Sequence, residues 1–75
     1  MTLKNGVIGS SYTVSSLDLD LVTMRRLEAL GLTKGTKVRI LNRNRVGSVI
    51  LMVRGSRLAL GSKIAGAILT KEASA

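Results

Sequence analysis

Alternation of apolar and polar positions predicts short β-strands along most of this chain. Residues 12–17 alternate in this way and are rich in strand-forming side chains, which is the pattern of a half-buried strand. Residues 36–43 and 48–54 alternate as well, and the short loop between them predicts a hairpin. We expect two further strands at residues 57–60 and 67–70, an irregular or helical bend at 61–66, and a frayed tail at 71–75.

The period changes after Asp20 and predicts one helix. Apolar side chains then recur every three residues, so one side of the helix faces the core. Asp18 or Asp20 can cap the first turn, and Gly31 stands where helices end in a left-handed residue. Leu32 is expected to fold back onto the last turn. The predicted core side of the helix carries Thr23, Met24, Leu27 and Leu30.

Short strands, glycine-containing turns and one helix predict a mainly β fold in a single domain of residues 1–75. The arrangement that suits about five such strands is a small barrel, closed or nearly closed. Closure is favoured because it hides the edges of an apolar sheet from other chains.

A four-residue loop fixes an expected register for the hairpin. The expected pairs are Arg43 with Ser48, Leu41 with Ile50, Arg39 with Met52 and Lys37 with Arg54. These residues would share the outer face of the hairpin, because side chains alternate between the two faces of a strand. The core face would then carry Val38, Ile40, Val49, Leu51 and Val53.

The expected outer face has an apolar centre of Leu41, Ile50 and Met52. Around it lies a basic rim of Lys37, Arg39, Arg43 and Arg54. Such an arrangement is typical of a protein–protein contact. The alternative is that the helix or the N-terminal segment covers this face, which would make the three apolar residues ordinary core. Burial of Ile50 and Met52 within the monomer would favour that alternative.

The chain is strongly basic: 12 Lys and Arg residues stand against 4 Asp and Glu, giving a formal charge of +8 at pH 7. Such a charge attracts phosphate backbones, anionic lipid or acidic protein surfaces. Tyr12 is the single aromatic residue, and alone it cannot form the stacking platform of single-strand nucleic-acid binders. The charge therefore indicates an anionic partner without identifying its class.

The residues that catalysis and metal binding need are scarce. The chain has no His and no Cys, and its carboxylates are Asp18, Asp20, Glu28 and Glu72. Nucleophilic and acid–base catalysis require a base or a pair of tuned groups, and sites for hard cations require several converging carboxylates. No phosphate-loop or dinucleotide-binding glycine motif occurs. We expect a non-enzymatic protein with no catalytic residue, no metal site and no cofactor.

No apolar run approaches the roughly 20 residues of a membrane-spanning helix. The N-terminus also lacks the long apolar region of a signal peptide. We therefore expect a cytoplasmic protein.

An ordered set of motifs closely resembles the FeoA family. The set comprises MRRLEALGL at 24–32, KGTKV at 34–38, RGSRLALG at 54–61, and the apolar residues Ile64, Ala65 and Ile68. The resemblance implies an SH3-like barrel with the helix inserted after the first strand. It also implies a partner, the ferrous iron transporter FeoB, which is a membrane protein with a cytosolic G-protein domain. The family offers no catalytic residues to carry over.

The resemblance and the hairpin together predict an accessory protein of ferrous iron uptake that contacts the cytosolic part of FeoB and is recruited through it to the inner face of the membrane. The expected contact residues are Lys37, Arg39, Leu41, Arg43, Ile50, Met52 and Arg54, with Arg25 and Arg57. The alternative function is a small basic nucleic-acid-binding barrel, which the charge and the fold would suit. A homo-oligomer that pairs the same hairpin face with itself is a third hypothesis.

Overall fold

The computed structural model describes residues 2–72. Five strands form one antiparallel sheet in the order β4-β3-β2-β1-β5. In chain order the elements are a 3₁₀ turn (Leu3–Asn5), β1 (Ser11–Leu17), α1 (Leu21–Ala29), β2 (Lys37–Arg43), β3 (Val49–Val53), β4 (Ser56–Leu60), α2 (Ser62–Ala65) and β5 (Ile68–Glu72).

The sheet coils around one apolar core to which every strand contributes. The core side chains of the central hairpin are those that alternation predicts, because the pleat turns every second residue to the same face. Leu3 from the 3₁₀ turn and Leu27 from α1 enter this core from outside the sheet. The largest fully buried side chains are Leu3, Leu32, Ile40, Leu51 and Ile68.

The predicted mainly β fold, an SH3-like barrel with a helix after the first strand, is confirmed. Within residues 2–72, β4 and β5 are the two edges of the sheet, and no strand ladder joins them to close the barrel. The bend at residues 61–66 contains the short helix α2. None of the helices in residues 2–72 is long and apolar enough to cross a membrane.

The predicted start of the tail is wrong at two residues. Lys71 and Glu72 belong to β5, where they pair with Thr13 and Tyr12 of β1. Pairing with β1 supplies the ladder hydrogen bonds that a frayed end would lack. The rest of the predicted tail, residues 73–75, lies outside the described residues.

Both ends of α1 are capped as predicted. The carboxylate of Asp20 accepts hydrogen bonds from the N–H of Thr23 at 3.1 Å and from the hydroxyl of Thr23 at 2.7 Å. At the other end the N–H of Leu32 donates to the carbonyl of Leu27, at 2.9 Å, across Gly31 with its φ of 94°. This 6→1 bond, with its buried leucine pair, is a Schellman motif.

The predicted core side of α1 is wrong at Leu30, which is 53% exposed. The helix ends at Ala29, and Leu30 as the C-cap has a ψ of 0°, so the three-residue spacing no longer applies to it. The turn at Gly31 then directs Leu32 into the core, where it is fully buried.

The predicted hairpin register holds at Arg39, which lies opposite Met52, and fails beyond Ile40. A β-bulge at Leu41 adds one residue to β2, so Asn42 rather than Leu41 lies opposite Ile50. A bulge shifts every later pair by one and exchanges the faces of the residues that follow it. Arg43 accordingly lies opposite Val49 instead of Ser48.

Candidate protein-interaction surface

The outer surface of β2, β3 and β4 consists of two rows of side chains that run across the strands. In one row Met52 lies between Arg39 and Arg57, because β3 pairs with β2 on one side and with β4 on the other. In the neighbouring row Ile50 lies between Asn42 and Ala59. We call this surface the hairpin face and define it as Lys37, Arg39, Leu41, Asn42, Ile50, Met52, Arg57 and Ala59.

The apolar centre of the hairpin face is accessible. Leu41, Ile50 and Met52 are each half-buried, whereas a core residue such as Leu51 has no exposed surface. Among residues 2–72, none of the three belongs to the apolar core or to the partly buried residues that pack against it. The side chains can therefore lose further water contact when a partner docks, which is the source of affinity at an interface centre.

The rim of the hairpin face is exposed and basic. Lys37, Arg39 and Arg57 are all exposed, and no acidic residue belongs to the face. Since like charges dominate this surface, it is complementary to an acidic partner.

Arg43, which the sequence places in the rim, is not part of the hairpin face. The bulge sets it opposite the buried Val49, and its guanidinium Nη1 donates a hydrogen bond to the carbonyl of Lys4 at 3.2 Å. Arg43 therefore fastens the end of β2 to the N-terminal segment.

Arg54 lies in the tight turn between β3 and β4 and does not pair with Lys37 in the ladder. Its φ is 51° and that of Gly55 is 83°, so both central turn residues are left-handed. The stem of Arg54 passes close to Gly31, where an added Cβ would lie 3.2 Å from its Cδ. Arg54 thus joins the hairpin turn to the C-terminal end of α1, where a cation suits the negative end of the helix dipole.

Arg25 is exposed on α1 and belongs to neither cross-strand row. The sequence reasoning missed Asn42 and Ala59, which flank Ile50 in the second row. Ala59 could have been found by continuing the alternation from β3 into β4. Asn42 could not have been predicted, because its place on this face depends on the bulge at Leu41, and the pattern of apolar residues does not indicate a bulge there.

Two polar side chains of the described chain stabilise the two ends of α1, namely Asp20 before it and Thr36 in the turn after it. The pKa of Asp20 is lowered, first by the hydrogen bond from the Thr23 hydroxyl and next by the Thr23 N–H. The buried hydroxyl of Thr36 lies 2.8 Å from that of Thr33 and 3.4 Å from the carbonyl of Gly31, in the turn that follows α1. Within residues 2–72 no three side chains of the types that ligate metals come together.

Comparison of the sequence with known proteins identifies the FeoA family. The family model described as FeoA domain matches residues 1–72. A Methanocaldococcus jannaschii protein named Fe(2+) transport protein A is 32% identical over 65 residues, which are 87% of this chain and 78% of that protein.

Solved structures show the same fold. The solution structure of a FeoA protein from Chlorobium tepidum superposes with a TM-score of 0.89 at 25% identity, covering 99% of this chain and 71% of that one. A crystal structure of an iron uptake regulatory protein, also FeoA, superposes with a TM-score of 0.85 at 26% identity, covering 97% of this chain and 96% of the other.

Proposed function

This chain belongs to the FeoA family of ferrous iron transport accessory proteins, and from that premise we propose that it acts by docking its hairpin face on the cytosolic part of an FeoB-type transporter. The contribution to iron uptake is then made through contact, and the chain performs no catalytic step. The domain works in the cytoplasm and is recruited to the inner face of the membrane by this contact.

One observation carries the proposal: an accessible methionine lies between two exposed arginines on the neighbouring strands. Met52 lies between Arg39 and Arg57 on adjacent strands, held by ladder hydrogen bonds rather than by a loop. Arg is enriched at interface centres because its planar group donates several hydrogen bonds while its stem packs on apolar neighbours. A rigid strand surface with this composition binds without a large ordering cost.

The direct test is binding of the 75-residue chain to the purified full-length transporter from the same organism, in detergent and at near-physiological salt. An RNA duplex is added as competitor. We expect saturable binding that the duplex does not displace. No binding to the transporter, with tight and salt-sensitive binding to the duplex, would overturn the proposal in favour of a nucleic-acid-binding barrel.

The hairpin face is tested separately by removing its apolar centre. Met52→Ser is expected to weaken transporter binding by about tenfold, because burial of a half-exposed methionine supplies part of the interface energy. The matched control is Leu30→Ser, which removes an exposed leucine from the end of α1. Equal binding by both variants, with both shown to be folded by circular dichroism, would exclude this face as the contact.

A further inference from the structure

A second surface combines positive charge with exposed aliphatic side chains. It is a cleft of about 420 Å³ between the N-terminal segment and the β2–β3 loop. Its lining consists of three cations, two amides, one large apolar residue and one glycine, and it contains no carboxylate: Lys4, Arg43, Arg45, Asn5, Asn44, Ile8 and Gly47. We call it the basic cleft.

One side of the basic cleft is a turn whose backbone is tightly held. The N–H of Val7 donates to the buried hydroxyl of Tyr12 at 2.9 Å, and the N–H of Gly9 donates to the carbonyl of Ile40 at 2.7 Å. Despite these bonds the side chains of Val7 and Ile8 are 59% and 52% exposed. Their exposure is therefore fixed by the fold and does not arise from a loose loop.

The other side is the loop between β2 and β3, which is held in the same way. The side-chain carbonyl of Asn44 accepts the N–H of Ser48 at 3.0 Å, and its backbone carbonyl accepts the N–H of Gly47 at 3.1 Å. Val46 at the tip of this loop is 69% exposed and directly follows Arg45. The two sides meet where the stem of Lys4 lies beside Gly47, since an added Cβ on Gly47 would lie 2.6 Å from Cε of Lys4.

We propose that the basic cleft binds the phosphate headgroups of an anionic phospholipid bilayer, while Ile8 and Val46 insert into the interfacial region. Each cation near an anionic surface strengthens binding, and exposed aliphatic side chains add to it by leaving water. Ile8 lines the cleft itself, and Val46 belongs to the same hydrogen-bonded loop as the lining residues Asn44 and Arg45. Such a contact would orient the domain on the membrane independently of the hairpin face.

A bilayer fits this surface better than a nucleic acid does. A phosphate backbone would use the cations but would leave Ile8 and Val46 in water, and stacking on bases needs an aromatic side chain. The single aromatic residue, Tyr12, is only 3% exposed and does not line the cleft, so it offers no surface on which a base could stack.

The test is co-sedimentation of the full chain with vesicles of phosphatidylcholine that contain about one quarter phosphatidylglycerol, at about 0.15 M salt. Vesicles of pure phosphatidylcholine are the blank. Arg45→Gln should lower the partition coefficient by about fivefold and Val46→Ser by about threefold. Both residues are exposed in a loop, so both variants should fold.

The matched controls are Arg26→Gln and Leu30→Ser, an exposed cation and an exposed leucine at α1. They should leave partitioning within about twofold of the unchanged chain.

Failure of the unchanged chain to bind anionic vesicles would overturn the proposal. It would also be overturned if Arg26→Gln lowered the partition coefficient as much as Arg45→Gln does, which would show that only net charge matters. Displacement by an RNA duplex with no effect of Val46→Ser would overturn it in favour of nucleic acid. The assay contains no transporter, so its failure leaves the FeoB contact unaffected.

Discussion

At Gly6 the core leaves no room for a side chain. Gly6 is buried, and a Cβ there would overlap Cδ1 of Ile40 and lie 3.2 Å from Cε2 of Tyr12. Ile40 is itself fully buried, so its end group has little space to move into.

Gly6→Ala should therefore destabilise the fold by about 1–3 kcal/mol, the usual cost of overpacking. Chemical denaturation followed by circular dichroism measures this. The matched control is Gly61→Ala, where nothing lies within 4 Å of the added Cβ and φ is −67°. A Gly6 variant no less stable than the Gly61 variant would contradict the packing described around Tyr12.

Arg54 occupies a conformation that its side chain disfavours. A tight turn with both central residues left-handed is typical of Asn-Gly or Gly-Gly, and a residue other than these costs about 1 kcal/mol there. Arg54→Asn should raise the free energy of unfolding by about 0.5–1 kcal/mol. Gly55→Ala is a control with the opposite expected effect. It should lower the free energy of unfolding, because Gly55 has a φ of 83°, which alanine disfavours.

A clear loss of stability in Arg54→Asn would show that the packing of the Arg54 stem beside Gly31 outweighs the backbone strain.

Among the left-handed residues, Gly31 can be predicted from the sequence, because a glycine directly after a helical pattern is typical of a helix end. The left-handed φ of Arg54 cannot be predicted from the sequence, because an arginine side chain does not favour that conformation.

Among the elements, α1 depends on its cap at Asp20, and this dependence has a pH signature. The two hydrogen bonds from Thr23 lower the pKa of Asp20 in the folded chain, and unfolding removes them. The unfolded chain therefore binds the proton at higher pH than the folded chain does. The contribution of the cap is present at neutral pH and is lost as the pH falls through the lowered folded pKa.

Asp20→Asn keeps a capping oxygen and does not titrate. Its thermal midpoint should fall less than that of the unchanged chain between neutral pH and about pH 2. Asp18→Asn is the matched control, because Asp18 precedes the helix without capping it. An Asp20 variant whose midpoint falls as steeply as that of the unchanged chain would contradict this role.

The β2–β3 hairpin marks the limit of sequence reasoning at the element scale. Alternation places Val38, Ile40 and Leu51 on the core face correctly, because each precedes the bulge or lies on the uninterrupted strand β3. The bulge at Leu41 depends on how the sheet must bend around the core. That requirement is set by distant residues and not by the local pattern.

At the scale of the whole molecule, the fold follows from periodicity and turn residues, and most of the hairpin face follows with it. The parts that could not be predicted depend on contacts far apart in sequence. Arg43 reaches the carbonyl of Lys4, and the basic cleft forms only when residues near both 5 and 45 meet.

The charge of the whole molecule also bears on self-association. A twofold contact through the hairpin face would place the rim cations of one copy against those of the other, since such a contact uses the same surface twice. Like charges at a contact are unfavourable, so the face suits an acidic partner better than a second copy. Light scattering at several concentrations should therefore give the mass of a monomer.

The measurement that tests the central claim most directly compares two charge reversals in binding to the transporter. Arg39→Glu with Arg57→Glu alters the hairpin face, and Arg26→Glu with Lys71→Glu changes the net charge equally at exposed positions elsewhere. The first pair should weaken binding by at least about tenfold and the second by less than about threefold. Equal weakening by the two pairs, or none by the first, would contradict docking through the hairpin face.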